Sequence, residues 1–312
     1  MVRIGHSDLD VFPLNLGGNV FGWTADRQTS FDVLDAFVAG GGNFIDTADV
    51  YSAWVPGNTG GDSETIIGEW IAARGNRDKV VIATKAGSWD KAPGSSRANI
   101  LAAVEGSLKR LQTDYIDLYY IHRDDPSTPL AETIGALDEL VKAGKVRAIG
   151  ASNFSAERLE EALAISERTG QAAFAALQPH YNLVHRAEYE GALAAVVAAH
   201  GLSTVPYYSL AAGFLTGKYR DENAGSDTSP RAGGARQYLD DRGRKVLAAL
   251  DEIAAAHNAS VTSVSLAWLR QQPTVAAPIA SARTPAQVPD LLASATLELT
   301  ADELAALTEA SN

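Results

Sequence analysis

Four ionisable side chains, Asp46, Tyr51, Lys85 and His122, have the types and spacing that reversible carbonyl chemistry requires. Asp46 closes a short apolar run, Asn43 to Ile45, and Tyr51 follows five residues later. Lys85 closes the run Val80 to Thr84, and His122 closes Tyr115 to Ile121. A tyrosine hydroxyl is a poor acid at neutral pH unless its phenolate is stabilised. A nearby ammonium, such as Lys85 can supply, stabilises it by charge and by hydrogen bonding. A carboxylate in the place of Asp46 would hold that ammonium, and is tolerable in a buried position only when paired. Tyr51 can then give or take a proton, and His122 can bond a carbonyl oxygen and the oxyanion that forms from it. None of the four is set up as a covalent nucleophile. Protonating a carbonyl oxygen becomes useful when a hydride reaches the carbonyl carbon. Side chains supply no hydride, so the set implies a nicotinamide or a flavin.

Such a set works only if the fold gathers it. Each of the three runs reads as a buried strand that delivers one ionisable group at its C-terminal end, and in a parallel barrel all those ends share one rim. Other segments fit the same scheme. Val2–Ile4 and Leu9–Phe12 predict a small hairpin, and Leu14–Gly18 a first barrel strand. Thr29-Ser30 offers a cap for a helix with Phe31, Leu34, Phe37 and Val38 on one face. Further strands are expected at Lys145–Gly150, Phe174–Leu177, Leu202–Val205 and Val275–Ile279, with an alanine-rich helix at Tyr189–Ala199. A long loop and an additional helix occupy Leu210–His257, and Pro285–Ala293 is the eighth helix. Eight strands alternating with eight helices predict an α/β fold: one (β/α)8 TIM-barrel domain over residues 1–312, with an N-terminal β-hairpin and additional C-terminal helices. An open doubly wound sheet would carry G-x-G-x-x-G after its first strand. Gly17-Gly18-Asn19-Val20-Phe21-Gly22 does not match it.

Composition narrows the partners. With 312 residues, 46% of them apolar, the chain can bury a large core. The absence of cysteine removes disulfides and thiolate metal sites and fits a cytoplasmic location. A formal charge of −12 argues against nucleic acid or an anionic membrane, since both reward a basic face. An anionic cofactor would therefore need a local basic patch. Nothing approaches the roughly 18 consecutive apolar residues of a membrane span, and the segment Met1–Ser7 lacks the apolar core of a signal peptide.

Several longer motifs now fall into place. Asn43-Phe44-Ile45-Asp46-Thr47-Ala48-Asp49-Val50-Tyr51, Ala83-Thr84-Lys85 and Asp117-Leu118-Tyr119-Tyr120-Ile121-His122 are followed by Ile149-Gly150-Ala151-Ser152-Asn153-Phe154 and Gly213-Phe214-Leu215-Thr216-Gly217-Lys218-Tyr219. In these pieces, and in their order, the chain resembles the aldo-keto reductases over nearly its whole length. The resemblance implies a (β/α)8 barrel that reduces an aldehyde or ketone with NADPH, without metal, and with Tyr51 as the acid of the tetrad. It further implies that Ser152, Asn153 and Gln178 bond the nicotinamide carboxamide, that Asp46 touches the adjoining ribose, and that Tyr207 stacks on the nicotinamide. Gly18, Asn19 and Val20 border the same pocket. Ser209, Leu210, Gly213, Leu215, Gly217 and Lys218 belong to the loop over the pyrophosphate, and Ser281, Arg283 and Gln287 to the adenosine-phosphate end. Arg283 matches phosphate geometry best. Two departures stand out: Tyr207-Tyr208-Ser209-Leu210 lacks the proline many relatives carry there, and Leu291 falls near a position where relatives often place an adenine-binding asparagine. The substrate, a small carbonyl compound, is expected above the nicotinamide beside Tyr51 and His122, walled by Trp23, Trp54 and Trp89, with Arg123 facing an anionic group or pairing with Asp124 or Asp125. Two other readings share the site: a nucleotide-sensing regulatory subunit similar to potassium-channel β subunits, and an alcohol or sugar dehydrogenase running mainly in the oxidative direction.

Overall fold

A computed structural model describes residues 1–220, 230 and 232–312. Eight parallel strands form one sheet: β1 (Asn15–Gly17), β2 (Phe44–Asp46), β3 (Val81–Ala86), β4 (Ile116–Ile121), β5 (Val146–Ser152), β6 (Phe174–Gln178), β7 (Ser203–Thr204) and β8 (Ile279–Ala280). Their order is β7-β6-β5-β4-β3-β2-β1-β8. Thr204 pairs in parallel with Val275, Ala276 N–H donates to Thr204 O at 2.9 Å, and Ile279 N–H donates to Pro206 O at 2.9 Å. These bonds join β7 to the last strand and close a (β/α)8 barrel. The eighth strand is shorter than the expected Val275–Ile279 because Pro278 has no N–H to give the ladder.

Residues along each strand alternate between two apolar layers. Ile45, Ile82, Tyr119, Ile121, Ile149 and Leu177 face outward into the layer shared with the helices. Phe44, Val81, Ala83, Leu118, Tyr120, Ala148 and Ala176 fill the barrel interior. The same alternation turns Asp46, Lys85, His122, Ser152 and Gln178 inward. At Gly150 it demands glycine, because a Cβ there would collide with the inward Tyr120 ring. The bottom of the interior is plugged by the N-terminal hairpin, Val2–Arg3 paired with Asp10–Val11, whose Ile4, Leu9 and Val11 join the inner cluster.

The helices are α1 (Arg27–Ala39), α2 (Asp62–Arg74), α3 (Arg97–Leu111), α4 (Leu130–Lys142), α5 (Ala156–Thr169), α6 (Ala192–Ala199), α7 (Ala232–Arg236), α8 (Asp241–His257), α9 (Val261–Arg270), α10 (Val288–Ala293) and α11 (Ala301–Ala310). Asp26, rather than Thr29-Ser30, caps α1: its carboxylate accepts from Thr29 N–H at 2.8 Å, while Ser30 is buried. The expected helix from Tyr189 starts only at Ala192, since Gly191 sits at φ 104°, ψ −123°. After β3 the loop folds into a small hairpin, Ser88–Trp89 with Ala92–Pro93. The expected long loop with one helix holds a 3-10 turn at Ala211–Thr216 as well as α7 and α8, and its residues 221–229 and 231 lie outside the described residues. No helix among the described residues is long and apolar enough to cross a membrane.

Candidate active site

The ends of β2, β3 and β4 bring the tetrad together. Lys85 is fully buried and Asp46 is 1% exposed. Lys85 Nζ lies 2.7 Å from each Asp46 carboxylate oxygen, 2.6 Å from the Thr47 carbonyl and 3.1 Å from the Tyr51 hydroxyl. The Tyr51 hydroxyl also donates toward Asp46 Oδ2 at 3.3 Å, and Gln178 Nε2 donates to Asp46 Oδ1 at 3.0 Å. Burial pushes the Lys85 ammonium down in pKa, while Asp46, and behind it Asp49 and Glu64, oppose that fall. A buried pair held this way is costly to break by removing one partner, at about 3–5 kcal/mol.

His122 meets the Tyr51 ring edge-on at 6.1 Å between centroids. Burial, with the charges of Lys85 and Arg123, lowers its pKa to about 3, so the imidazole is neutral across the physiological range. Its Nδ1 has no hydrogen-bond partner among the described residues.

Behind the tetrad lies a carboxylate that sequence reasoning did not single out. Asp49 is 1% exposed and neither of its carboxylate oxygens has a hydrogen-bond partner among the described residues. Burial and the neighbouring Glu64 raise its pKa to about 7, against the pull of Arg110. Glu64 itself is held by Thr84 Oγ1 and Arg110 Nε, each at 2.6 Å.

A cavity of about 700 Å³ opens over these residues. Tyr51, Trp54, His122 and Arg123, from the segments after β2 and β4, are among its lining residues, as are Lys218, Arg283 and Gln287 from the segments after β7 and β8. Asn19, Val20, Ser152, Asn153, Gln178, Tyr207, Ser209, Leu210, Gly213 and Ser281 line it as well. Asn153 donates to the His122 carbonyl at 2.9 Å and accepts from the Tyr207 hydroxyl at 2.7 Å, tying β4, β5 and the β7 end together. The Tyr207 ring stacks on His180 at 5.4 Å, and His180 on His185 at 3.6 Å. Ser281 donates to Asn19 at 2.8 Å, and Gln287 Oε1 accepts from the Arg283 N–H at 2.8 Å. Asn153, Tyr208 and Ala212 line the cavity in left-handed backbone conformations, φ 56°, 53° and 56°. Such strain in residues other than glycine gathers at functional sites.

Besides the fully buried Lys85, five expected residues lie outside the cavity walls. Gly18 is locked against β2, its N–H donating to Asp46 O at 2.7 Å, and Gly17 faces the cavity in its place. The alternation along β1, with Leu16 outward, was the signal for that. Leu215 is buried in the outer core, and Gly217 ends the 3-10 turn. Trp23 packs edge-on against Trp54 at 5.5 Å, and Trp89 lies against Gly60 and under Lys91. Ser88 lines the cavity without having been anticipated, and Tyr208 lines it beside the expected Tyr207. Only the folded loops show them.

The walls suit a dinucleotide. Amide and hydroxyl groups cluster near the tetrad, and two cations, Lys218 and Arg283, stand where an acidic chain would otherwise repel phosphates. Comparison with known proteins agrees. A sequence description of the Aldo/keto reductase family matches residues 13–312. The chain is 34% identical to "Protein tas" of Escherichia coli (strain K12) over 97% of this chain and 95% of that protein. It is 36% identical to "Aldo-keto reductase YhdN" of Bacillus subtilis (strain 168), covering 88% and 80%. It is 33% identical to "Aryl-alcohol dehydrogenase [NADP(+)]" of Phanerodontia chrysosporium, covering 88% and 76%. On the barrel, the gathered strand ends and these matches, the chain belongs to the aldo/keto reductase family.

Proposed function

We propose that this oxidoreductase-family chain reduces an aldehyde or ketone to an alcohol with NADP(H), Tyr51 acting as general acid. One observation carries the reading: a fully buried Lys85 ammonium shared between the Asp46 carboxylate and the Tyr51 hydroxyl. The bound nicotinamide supplies the hydride to the carbonyl carbon. Tyr51 passes its hydroxyl proton to the carbonyl oxygen, and Lys85 stabilises the charge left on the phenolic oxygen. Asp46 keeps Lys85 in place through both carboxylate oxygens. The neutral His122 donates one N–H to the same carbonyl oxygen. Run backwards, the phenolate takes the proton from an alcohol. Ser152, Asn153, Gln178, Asp46 and Tyr207 would hold the nicotinamide end, and Lys218 and Arg283 the phosphates. The name of the Phanerodontia relative, an NADP(+) aryl-alcohol dehydrogenase, supports NADP over NAD.

The test is NADPH oxidation with 4-nitrobenzaldehyde, for the wild type and for Tyr51→Phe. Tyr51→Phe is expected to lower kcat by about 10²–10⁴ while still binding NADPH in a fluorescence titration. Wild-type rates in Tyr51→Phe would remove Tyr51 as the acid. NADPH binding without turnover of any carbonyl would favour the nucleotide-sensing reading.

A further inference from the structure

We propose that Arg123 selects carbonyl substrates that carry an anionic group on an aromatic or other flat apolar body. The inference deepens the reductase reading and rests on it. Arg123 follows His122 directly, is exposed, and lines the cavity beside Tyr51. Both acids next to it are engaged elsewhere. Asp124 accepts from Arg158 Nε at 2.9 Å and from its Nη2 at 3.0 Å. Asp125 accepts from Ser95 N–H at 2.9 Å, Thr128 Oγ1 at 2.7 Å and Ser127 N–H at 3.0 Å. No hydrogen bond or ion pair holds the Arg123 guanidinium among the described residues. Arg77, Arg110 and Arg186, by contrast, are all paired with carboxylates. In a chain of formal charge −12, a cation left free beside the reacting groups is available to a ligand.

The cofactor does not account for it. Lys218 and Arg283 follow β7 and β8, whereas Arg123 follows β4, which stands across the ring from β8. Its charge is felt at His122 and at Tyr207, which places it over the nicotinamide end rather than the phosphate end. The apolar half of the requirement comes from its neighbours. Four large apolar side chains are exposed among the described residues, and two of them, Trp54 at 48% and Tyr208 at 52%, line this cavity. The others, Met1 and Val2, lie at the N-terminus. Trp54 is braced edge-on by Trp23 at 5.5 Å and faces Tyr51 at 6.2 Å. A flat ring against Trp54 and a carboxylate or phosphate on Arg123 would present a carbonyl to Tyr51 and His122.

Calorimetric titration with saturating NADP⁺, which occupies the phosphate end, tests this. The probes are 4-(hydroxymethyl)benzoate, its uncharged methyl ester, and 4-(hydroxymethyl)phenyl phosphate. The anions should bind about tenfold or more tightly than the ester, and added salt should erode the difference. Tighter binding of the phosphate than of the benzoate assigns phosphate esters, and the reverse assigns carboxylic acids. Arg123→Gln should bring the anion-to-ester ratio near one, and Arg123→Lys should keep part of it. Equal binding of ester and anions by the wild type, or a preference that survives Arg123→Gln or high salt, overturns the inference. Turnover of 4-formylbenzoate and its methyl ester separates the two readings. An ester reduced as well as the acid sinks the anion preference alone. Anion-selective binding with neither aldehyde reduced sinks the reductase reading alone.

Discussion

Asp49 is a buried carboxylate that the proposed proton transfer does not use, and its burial has a cost in stability that depends on pH. Its folded pKa of about 7 lies above the usual carboxylate value because the ionised form is desolvated and faces Glu64. A raised carboxylate pKa means that the folded state binds the proton more tightly than the unfolded chain. Stability is therefore unaffected by this group below about pH 4, falls as pH rises from there to about 7, and stays reduced above that. Asp49→Asn removes the titration. It should raise the urea midpoint at pH 8 by an amount equivalent to at most about 4 kcal/mol, with a much smaller gain at pH 5. Equal gains at both pH values would show that the folded pKa is not raised, the carboxylate being ionised alike in the folded and unfolded protein from pH 5 upward. Part of the gain is offset, since an ionised Asp49 helps keep Lys85 charged.

At the level of elements, the segments after β7 and β8 supply what the barrel strands cannot. The strand ends give short, inward polar groups, while the cations Lys218 and Arg283 reach the cavity from the following loops. Arg283 sits just ahead of the 3-10 turn Pro285–Gln287 that leads into α10, and the Gln287 side chain fixes its backbone N–H. No carboxylate pairs with its side chain among the described residues. Arg283→Ala should weaken NADPH binding by about tenfold or more and NADH much less, because only NADPH carries the 2′-phosphate. Dissociation constants from fluorescence titration decide it, and equal losses for both cofactors would remove Arg283 from the phosphate position.

For the whole molecule, the question is what keeps a ring of short strands closed. The seam falls between β7 and the last strand, where regular pairing is thinnest. There the Tyr189 hydroxyl lies 2.6 Å from Thr204 Oγ1 and 2.7 Å from Thr274 Oγ1, and the two threonines are 2.9 Å apart. Three buried or half-buried hydroxyls thus satisfy one another across the closure. Tyr189→Phe should cost about 1–3 kcal/mol by leaving the two threonines short of a partner, measured by urea unfolding, with no change in the tetrad's geometry. A neutral effect would show that the ladder bonds alone close the ring. The hairpin seals the other end, where Gly5 N–H donates to Ser203 Oγ at 2.8 Å, and its Ile4, Leu9 and Val11 contribute about 1.5–3 kcal/mol each through burial.

The eight-strand pattern, the buried strands ending in Asp46, Lys85 and His122, and Tyr51 five residues on were legible in the sequence. They are local: period-two apolar runs fix which side chains share a face, and glycine and cap residues mark where each run stops. Element bounds were less legible where one residue overrides the pattern, as Pro278 does in β8 and Gly191 before α6. The loop residues were least legible. Trp23 and Trp89 look like cavity walls in the sequence, yet they brace from outside, while Ser88 and Tyr208 stand in the cavity. The same holds for Arg123, whose pairing with Asp124 or Asp125 is open in the sequence and is decided by Arg158 and Ser95, which hold those acids. Sequence neighbours do not determine which distant side chain claims a charge. The inward face of a strand follows from the chain's own periodicity, but the partner of a loop side chain depends on segments brought alongside only by closing the barrel.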